Sequence, residues 1–328
     1  MLPFDKRERG ESFFACLRRL KAGHFDLFVL EGTGVAAGMA AILGRLLYKR
    51  SFVLSSGDAV APFLSASIPW GAPLFGIYER MLYRYCSGFI GWTPYLVGRA
   101  LTLGAKRGVT IPGWAVHEHD GAELLERRKA IRERFGIPED ALVFGIAGAL
   151  VWSKRYEYCY GSEMIRSALK ANAGTYVLIV GDGSGLARLE EMAGDQLNKT
   201  IFLPGRVPRE EVSGYLAAMD VGALPQSLDG VGSFRYSTKI SEYRAVGLPF
   251  FTNQIPMAYD LDRNDLWRLE GPSPWSSEFI EALSDLMKKL TLAEVAARKS
   301  TFVPIPDFDR DTQIRRVTEF LGDILHDQ

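Results

Sequence analysis

Short runs of β-branched and aromatic residues recur along this chain, and each is followed by a segment of helical periodicity. Parallel strands need a crossover of a dozen or more residues between them, and such helices supply it. The pattern predicts an α/β protein built on parallel sheets flanked by helices. Runs at 26–30, 51–54, 88–92 and 109–111 form a first series, which Pro112 and Gly113 break. A second series follows at 142–147, 176–180, 201–203, 221–224 and 250–252. We expect a short first domain over 1–116 and a second over 117–302. The remaining segment, 303–328, starts in a proline-broken loop and carries a helix expected to cross back to the first domain.

At 328 residues and 47% hydrophobic content, the chain can fill two ordinary cores. Lys plus Arg and Asp plus Glu balance at 39 each, so no global charge points to nucleic acid. Cys16, Cys86 and Cys159 are scattered without C-x-x-C spacing. That argues against a disulfide framework or zinc site and for a reducing compartment. Of the histidines only His117 and His119 lie close in sequence, and no metal is expected. The first residues are charged and lack the apolar core of a secretory signal. The most apolar stretch, 35–48, is interrupted by Arg45 and is too short to span a bilayer. We expect a cytoplasmic protein, soluble or peripheral at the inner face of the membrane. Over 74–107, Tyr78, Tyr83, Tyr85, Phe89, Trp92 and Tyr95 interleave with Arg80, Arg84, Arg99, Lys106 and Arg107. Such a mixture suits either a bilayer interface or an aromatic core beneath a basic surface.

Ser237 and Thr238 open a short predicted helix that carries Lys239 and Glu242, three apart and so on one face. Either these two form a solvated ion pair, or they clamp a ligand. In the second reading the helix N-terminus and Lys239 meet anionic oxygens, and the carboxylate accepts from neighbouring hydroxyls. Loops after parallel strands are where open sheets bind ligands, and three more have fitting chemistry. Gly148 permits close backbone approach, with Lys154 and Arg155 either adding charge to a site or standing as a solvated basic pair. Gly181, Gly183 and Gly185 alternate and miss the G-x-G-x-x-G spacing, which disfavours a dinucleotide-dependent oxidoreductase. A tight turn capped by Asp182 is expected there. The segment Gly205-Arg206-Val207-Pro208 is either an open edge for a nucleobase or a plain turn before a helix.

Five elements in order resemble the donor-binding domain of GT-B-fold glycosyltransferases. They are the Gly148 loop with Lys154 and Arg155, VLIVGDGSG at 177–185, IFLPGRVPREEV at 201–212, Met219-Asp220-Val221, and STKISEYRAVGLPFF at 237–251. The family is the large retaining one typified by sucrose-phosphate and mannosyl transferases. The resemblance implies two Rossmann-like domains facing a cleft, with a nucleotide-diphosphate sugar as donor and a glycan or lipid-linked acceptor. It implies no metal cofactor. It assigns Lys154 and Arg155 to the donor diphosphate, Arg206 and Val207 to the base, and Glu242 to the ribose hydroxyls. Gly148, Asp182, Ser237, Thr238 and Lys239 complete the expected donor site.

The chain also departs from the family. An Arg often follows the first-loop glycine, and here Ala149 stands there. The first acid of an E-x7-E pair falls at Phe234, leaving only Glu242, with Asp229, Ser233, Arg235 or Ser237 as substitutes for the lost sugar contact. Segments 26–34, 52–58 and 91–105 resemble the acceptor half in outline, without the histidine such enzymes often keep near Ser56 or Gly57. Asp58, the expected catalytic residue, and Glu31 are then the acidic candidates for orienting the acceptor hydroxyl; alternatively Asp58 caps the next helix and Glu31 is a loop residue. The usual opening strand and glycine-rich loop are missing before residue 26, which implies truncation or a reduced acceptor domain. Two rival readings are a nucleotide-sugar epimerase or hydrolase, and a catalytically silent partner subunit that keeps the nucleotide fold.

Overall fold

The computed structural model describes residues 9–114, 121–172, 174–235, 237–260, 262–300 and 308–327. His117, His119 and the expected boundaries near 116 and 303 fall outside these residues. The chain divides into two units. The first comprises 1–114, 234–237 and 306–328, and the second 115–233 and 238–305.

In the first unit β1 (Phe28–Glu31), β2 (Phe52–Ser56), β3 (Gly88–Gly91) and β4 (Gly108–Thr110) lie side by side in that order, all parallel. Phe28 stands opposite Phe52, Leu54 opposite Phe89 and Ile90 opposite Val109. Strands added in sequence by right-handed crossovers place their helices on one face. There Phe52, Leu54 and Phe89 pack with Ile42, Tyr78, Leu82 and Leu96 from the helices Val35–Tyr48, Ala72–Tyr85 and Pro94–Thr102. The opposite face, with Val53, Ile90 and Val109, is covered by the helix Arg310–His326 through Val317, Phe320 and Ile324. Tyr78, Tyr83 and Phe89 are therefore core residues, not surface aromatics.

Thr93 caps the helix Pro94–Thr102, its side chain accepting from the Leu96 amide at 3.2 Å. Asp58 does not cap the helix Val60–Ser67. The Val60 amide instead donates to Oε1 of Glu79 at 3.0 Å. Glu79 is buried and held by Arg99, whose NH2 lies 2.6 Å from Oε2. A carboxylate 19 residues downstream does the capping, and local sequence does not announce it.

The second unit carries β5 (Val143–Ala147), β6 (Tyr176–Val180), β7 (Ile201–Gly205), β8 (Val221–Leu224), β9 (Phe250–Asn253) and β10 (Leu266–Leu269). Their order is β10-β9-β8-β5-β6-β7, with every pair parallel. The chain runs outward from β5 to β7, then returns to the other side of β5 to begin β8. Strand order thus reverses between β5 and β8, and open α/β sheets bind ligands at such a reversal. The edge strand β10 was not expected, because four residues interrupted by Arg268 give little periodicity. Phe144, Ile146, Ile179, Phe251, Phe279 and Leu283 form the centre of the core.

Asp220, 2% exposed, receives Arg128 at 2.7 Å and also Arg132, while its Oδ2 accepts from the Val143 amide at 2.9 Å. The charged helix Gly121–Phe135 is thereby tied to the starts of β5 and β8. The Met219-Asp220-Val221 element is a structural clasp. Among the described residues no helix is long and apolar enough to cross a membrane. None of their His, Cys, Asp and Glu side chains gather in threes around a potential metal position.

Candidate functional site

Two loops meet at the sheet reversal. The loop after β5 begins at Gly148, and the loop after β8 ends in the helix Lys239–Ala245. That helix is fixed from below by Tyr243, whose hydroxyl donates to the Ala223 carbonyl of β8 at 2.7 Å. It is fixed at its far end by the buried pair Arg244–Asp265 at 2.9 Å. Lys239 and Glu242 are thus presented from a supported turn. At seven residues the helix is too short for a strong macrodipole. Thr238 at its start makes no side-chain cap, so the anion-binding capacity there rests on Lys239 itself.

Lys239 reaches back toward β5. A Cβ built on Gly148 would lie 2.8 Å from Nζ, so the glycine makes room for the ammonium. The same Nζ sits 5.2 Å from the centroid of Tyr160. Desolvation by burial lowers the Lys239 pKa, while the Glu242 charge opposes that shift. Among the described residues Lys239 has no ion-pair partner, and the half-buried Glu242 carboxylate has none either. The two residues that sequence spacing allowed as an ion pair are not one. They are a cation and an anion held near each other, both open to a ligand with negative and hydroxyl groups.

The alternating glycines after β6 have a backbone cause. Gly181 and Gly183 adopt φ of 141° and 154°, and a Cβ on them would meet the carbonyl oxygens of Gly148 at 1.8 Å and Leu150 at 2.5 Å. The loops are sewn together by Gly148 N to Val180 O (2.9 Å), Leu150 N to Asp182 O (2.9 Å) and Gly185 N to Leu150 O (2.8 Å). Asp182 caps the turn, its Oδ1 accepting from the Gly183 amide at 2.6 Å.

Lys154 and Arg155 lie on a tight turn closed by Ser153 and Tyr158. Arg155 lies 5.2 Å over the ring of Tyr156, which stacks on Trp275 at 4.3 Å. Lys154 lines an open hollow with Trp152, Arg166, Ser184 and Arg188, and no residue of the helix Lys239–Ala245 belongs to its wall. The structure therefore gathers Gly148 and Lys239 with Glu242 nearby, and sets Lys154 in a separate hollow. Arg206 is exposed and Val207 half-buried, directly after β7, two strands from β5. Gly205 O accepts from Gly181 N at 2.8 Å and so links that edge to the central loops. Thr238 belongs to the second unit, and Ser237 is the last of the four residues grouped with the first.

In the first unit, Asp58 is engaged by Arg235, with Nε 2.6 Å from Oδ1. Next to it in sequence, Phe234 packs against the first core, beneath the Arg99 guanidinium at 5.7 Å, and its carbonyl accepts from Thr93 Oγ1 at 3.0 Å. The position where the family places an acid is used here as an apolar plug. Its sequence signal is Phe-Arg at the end of the glycine-containing loop 227–233. Glu31, at the end of β1, has its pKa raised by desolvation, opposed by a Ser55 hydrogen bond. Tyr160, under the Lys239 ammonium, escapes any reading by spacing.

Residues 141–289 match the family model described as glycosyl transferases group 1. TuaC of Bacillus subtilis (strain 168), named for a glycosyltransferase role in teichuronic acid biosynthesis, is 26% identical over 221 residues. The match covers 62% of this chain and 52% of TuaC, about half the length of that relative. Among solved structures, Anabaena Alr3699/HepE in complex with UDP superposes with TM-score 0.67 at 14% identity, over 95% of this chain and 82% of that one. Sucrose-phosphate synthase of Thermosynechococcus elongatus gives TM-score 0.67 at 12% identity, over 99% and 81%. At such identities these structures establish the α/β fold with two Rossmann-like sheets that this chain shares with them.

Proposed function

We propose, from the premise that residues 141–289 form a glycosyl transferases group 1 domain, that this protein is a nucleotide-sugar-dependent glycosyltransferase. Its donor is a nucleotide-diphosphate sugar, with uridine the first base to test, since a structural neighbour is a UDP complex. Its acceptor is a glycan or lipid-linked hydroxyl, and anomeric configuration is retained, as in the family it resembles. The donor belongs to the second unit. The observation that carries this reading is Lys239: a desolvated ammonium with no carboxylate partner among the described residues, set at the sheet reversal over the vacant side of Gly148. As the bond from the anomeric carbon to the diphosphate breaks, negative charge collects on the departing phosphate, and a preorganised cation there stabilises it. Lys239 carries this role at the reversal, since Lys154 faces a separate hollow and Arg155 lies over Tyr156, and no metal is assigned. Glu242 accepts from the ribose hydroxyls, and Arg206 with Val207 borders the base. In the first unit Asp58 positions Arg235. The three buried free thiols fit a cytoplasmic, reducing setting.

The experiment is calorimetric titration of wild type, Glu242→Ala and Lys239→Met with UDP, GDP and ADP. We expect one nucleotide to bind wild type and each variant to lose about tenfold or more, the worth of a hydrogen bond to a charged group. Unchanged binding of every nucleotide by both variants would sink the site. The plug at Phe234 favours a second reading, a nucleotide-binding partner subunit without turnover. Product formation from the bound donor across an acceptor panel eliminates that reading.

A further inference from the structure

The first unit carries apolar side chains that its core does not use. Trp70 is 82% exposed on the short turn Pro69–Gly71, and Leu74 and Ile77 are 64% and 60% exposed on the helix that follows. Spacings of four and three residues place them on one stripe. The opposite face of that helix is already satisfied, with Tyr78, Leu82 and Tyr83 buried. An apolar stripe on the outer face of a helix whose inner face is packed marks an interaction surface.

The charges around the stripe name the occupant. Arg80 and Arg84 continue along the same exposed side, and neither has an ion-pair partner among the described residues. Between 59 and 107 the bases are Arg80, Arg84, Arg99, Lys106 and Arg107, and the single acid is Glu79. Glu79 is 1% exposed and spent on Arg99 and the Val60 amide. Within 59–107 the surface is apolar at its tip and basic at its rim, and its one carboxylate is buried, while Arg107 pairs with Asp327. A second copy of the chain meeting this face symmetrically would set Arg80 and Arg84 against their own equivalents.

We propose that this face docks on an anionic phospholipid bilayer, with Trp70, Leu74 and Ile77 at the boundary between headgroups and acyl chains and Arg80 and Arg84 on lipid phosphates. Tryptophan favours that depth because its ring is apolar with one polar N–H. Lipid phosphates supply the charge that these guanidinium groups lack within the protein.

The test is co-sedimentation of the full chain with vesicles of phosphatidylglycerol mixed into phosphatidylcholine, beside phosphatidylcholine alone. Wild type should pellet with the anionic vesicles, weakly with the neutral ones, and less as salt rises. Trp70→Ser with Ile77→Ser should lower the partition coefficient at least tenfold. Arg80→Gln and Arg84→Gln should each lower it about fivefold, equivalent to ~1 kcal/mol per cation. All four positions are exposed, and a thermal melt of each variant, unchanged from wild type, checks that the fold is intact. Equal pelleting of wild type and the Trp70→Ser/Ile77→Ser variant overturns the proposal, as does failure of wild type to pellet. A wild-type dimer by light scattering that the same variant abolishes also overturns it, assigning the face to a second copy.

Discussion

Gly148 leaves open the space that the ammonium of Lys239 approaches: a Cβ on this glycine would stand 2.8 Å from Nζ. The neighbour is the free end of a flexible side chain, so the fold can accommodate a methyl group by moving the lysine. Gly148→Ala should therefore change thermal stability by less than about 1 kcal/mol while weakening nucleotide-diphosphate binding about tenfold. Melting temperature and titration, measured on the same preparation, separate the two effects. A large loss of stability with intact binding would contradict this geometry.

Proton linkage gives a second check on Lys239. Its folded pKa lies below the ordinary 10.5 because burial disfavours the charge. The native chain then holds fewer protons than the unfolded one just below that value, so this residue's contribution to stability rises with pH there. A bound diphosphate reverses the shift. Binding should take up protons and weaken as pH climbs past the lysine's folded pKa, and calorimetry in buffers of different ionisation enthalpy measures the uptake. Lys239→Met should abolish the uptake and leave the fold as stable or slightly more so.

Glu163 should govern a separate pH response. It is fully buried at the start of the helix Ser162–Ala171, and desolvation pushes its pKa up to about 7 although the Gly161 amide donates to Oε2 at 3.0 Å. Between its ordinary 4.5 and about 7 the native state binds more protons than the unfolded state, so stability falls as pH rises through that window. Glu163→Gln should flatten this slope and stabilise the protein at pH 8 by roughly 1–3 kcal/mol. Urea unfolding of both proteins at pH 5 and pH 8 reads the difference.

The Asp58–Arg235 pair, each about one-quarter exposed, should yield a coupling of about 0.5–1 kcal/mol in a double-mutant stability cycle. If Asp58 acts only by holding Arg235, then Asp58→Asn and Arg235→Gln should reduce transfer to the same extent, and the double variant no further. Multiplying losses would assign Asp58 a role of its own.

The parallel α/β architecture was legible because strand and helix periodicities differ and recur. Nine expected strands are present within a residue or two, while β10 escaped because four edge residues leave no alternation to detect. Spacing placed Lys239 and Glu242 on one helical face, yet could not decide whether they pair, because that depends on Gly148 and Tyr160, far away in the chain. The same limit explains Asp58: its partner Arg235 and the true cap, Glu79, are both brought in by tertiary structure. The alternating glycines at 181 and 183 were legible as a tight turn capped by Asp182, but not as the packing requirement between two loops that they also meet.

The helix Arg310–His326 bears on how the protein is made. Val53, Ile90 and Val109 leave the ribosome long before Val317, Phe320 and Ile324 are synthesised to cover them. The first sheet must wait, one face bare, while the whole second unit is translated. Such exposed apolar surface invites off-pathway association, so the early chain is a natural client for chaperones during synthesis.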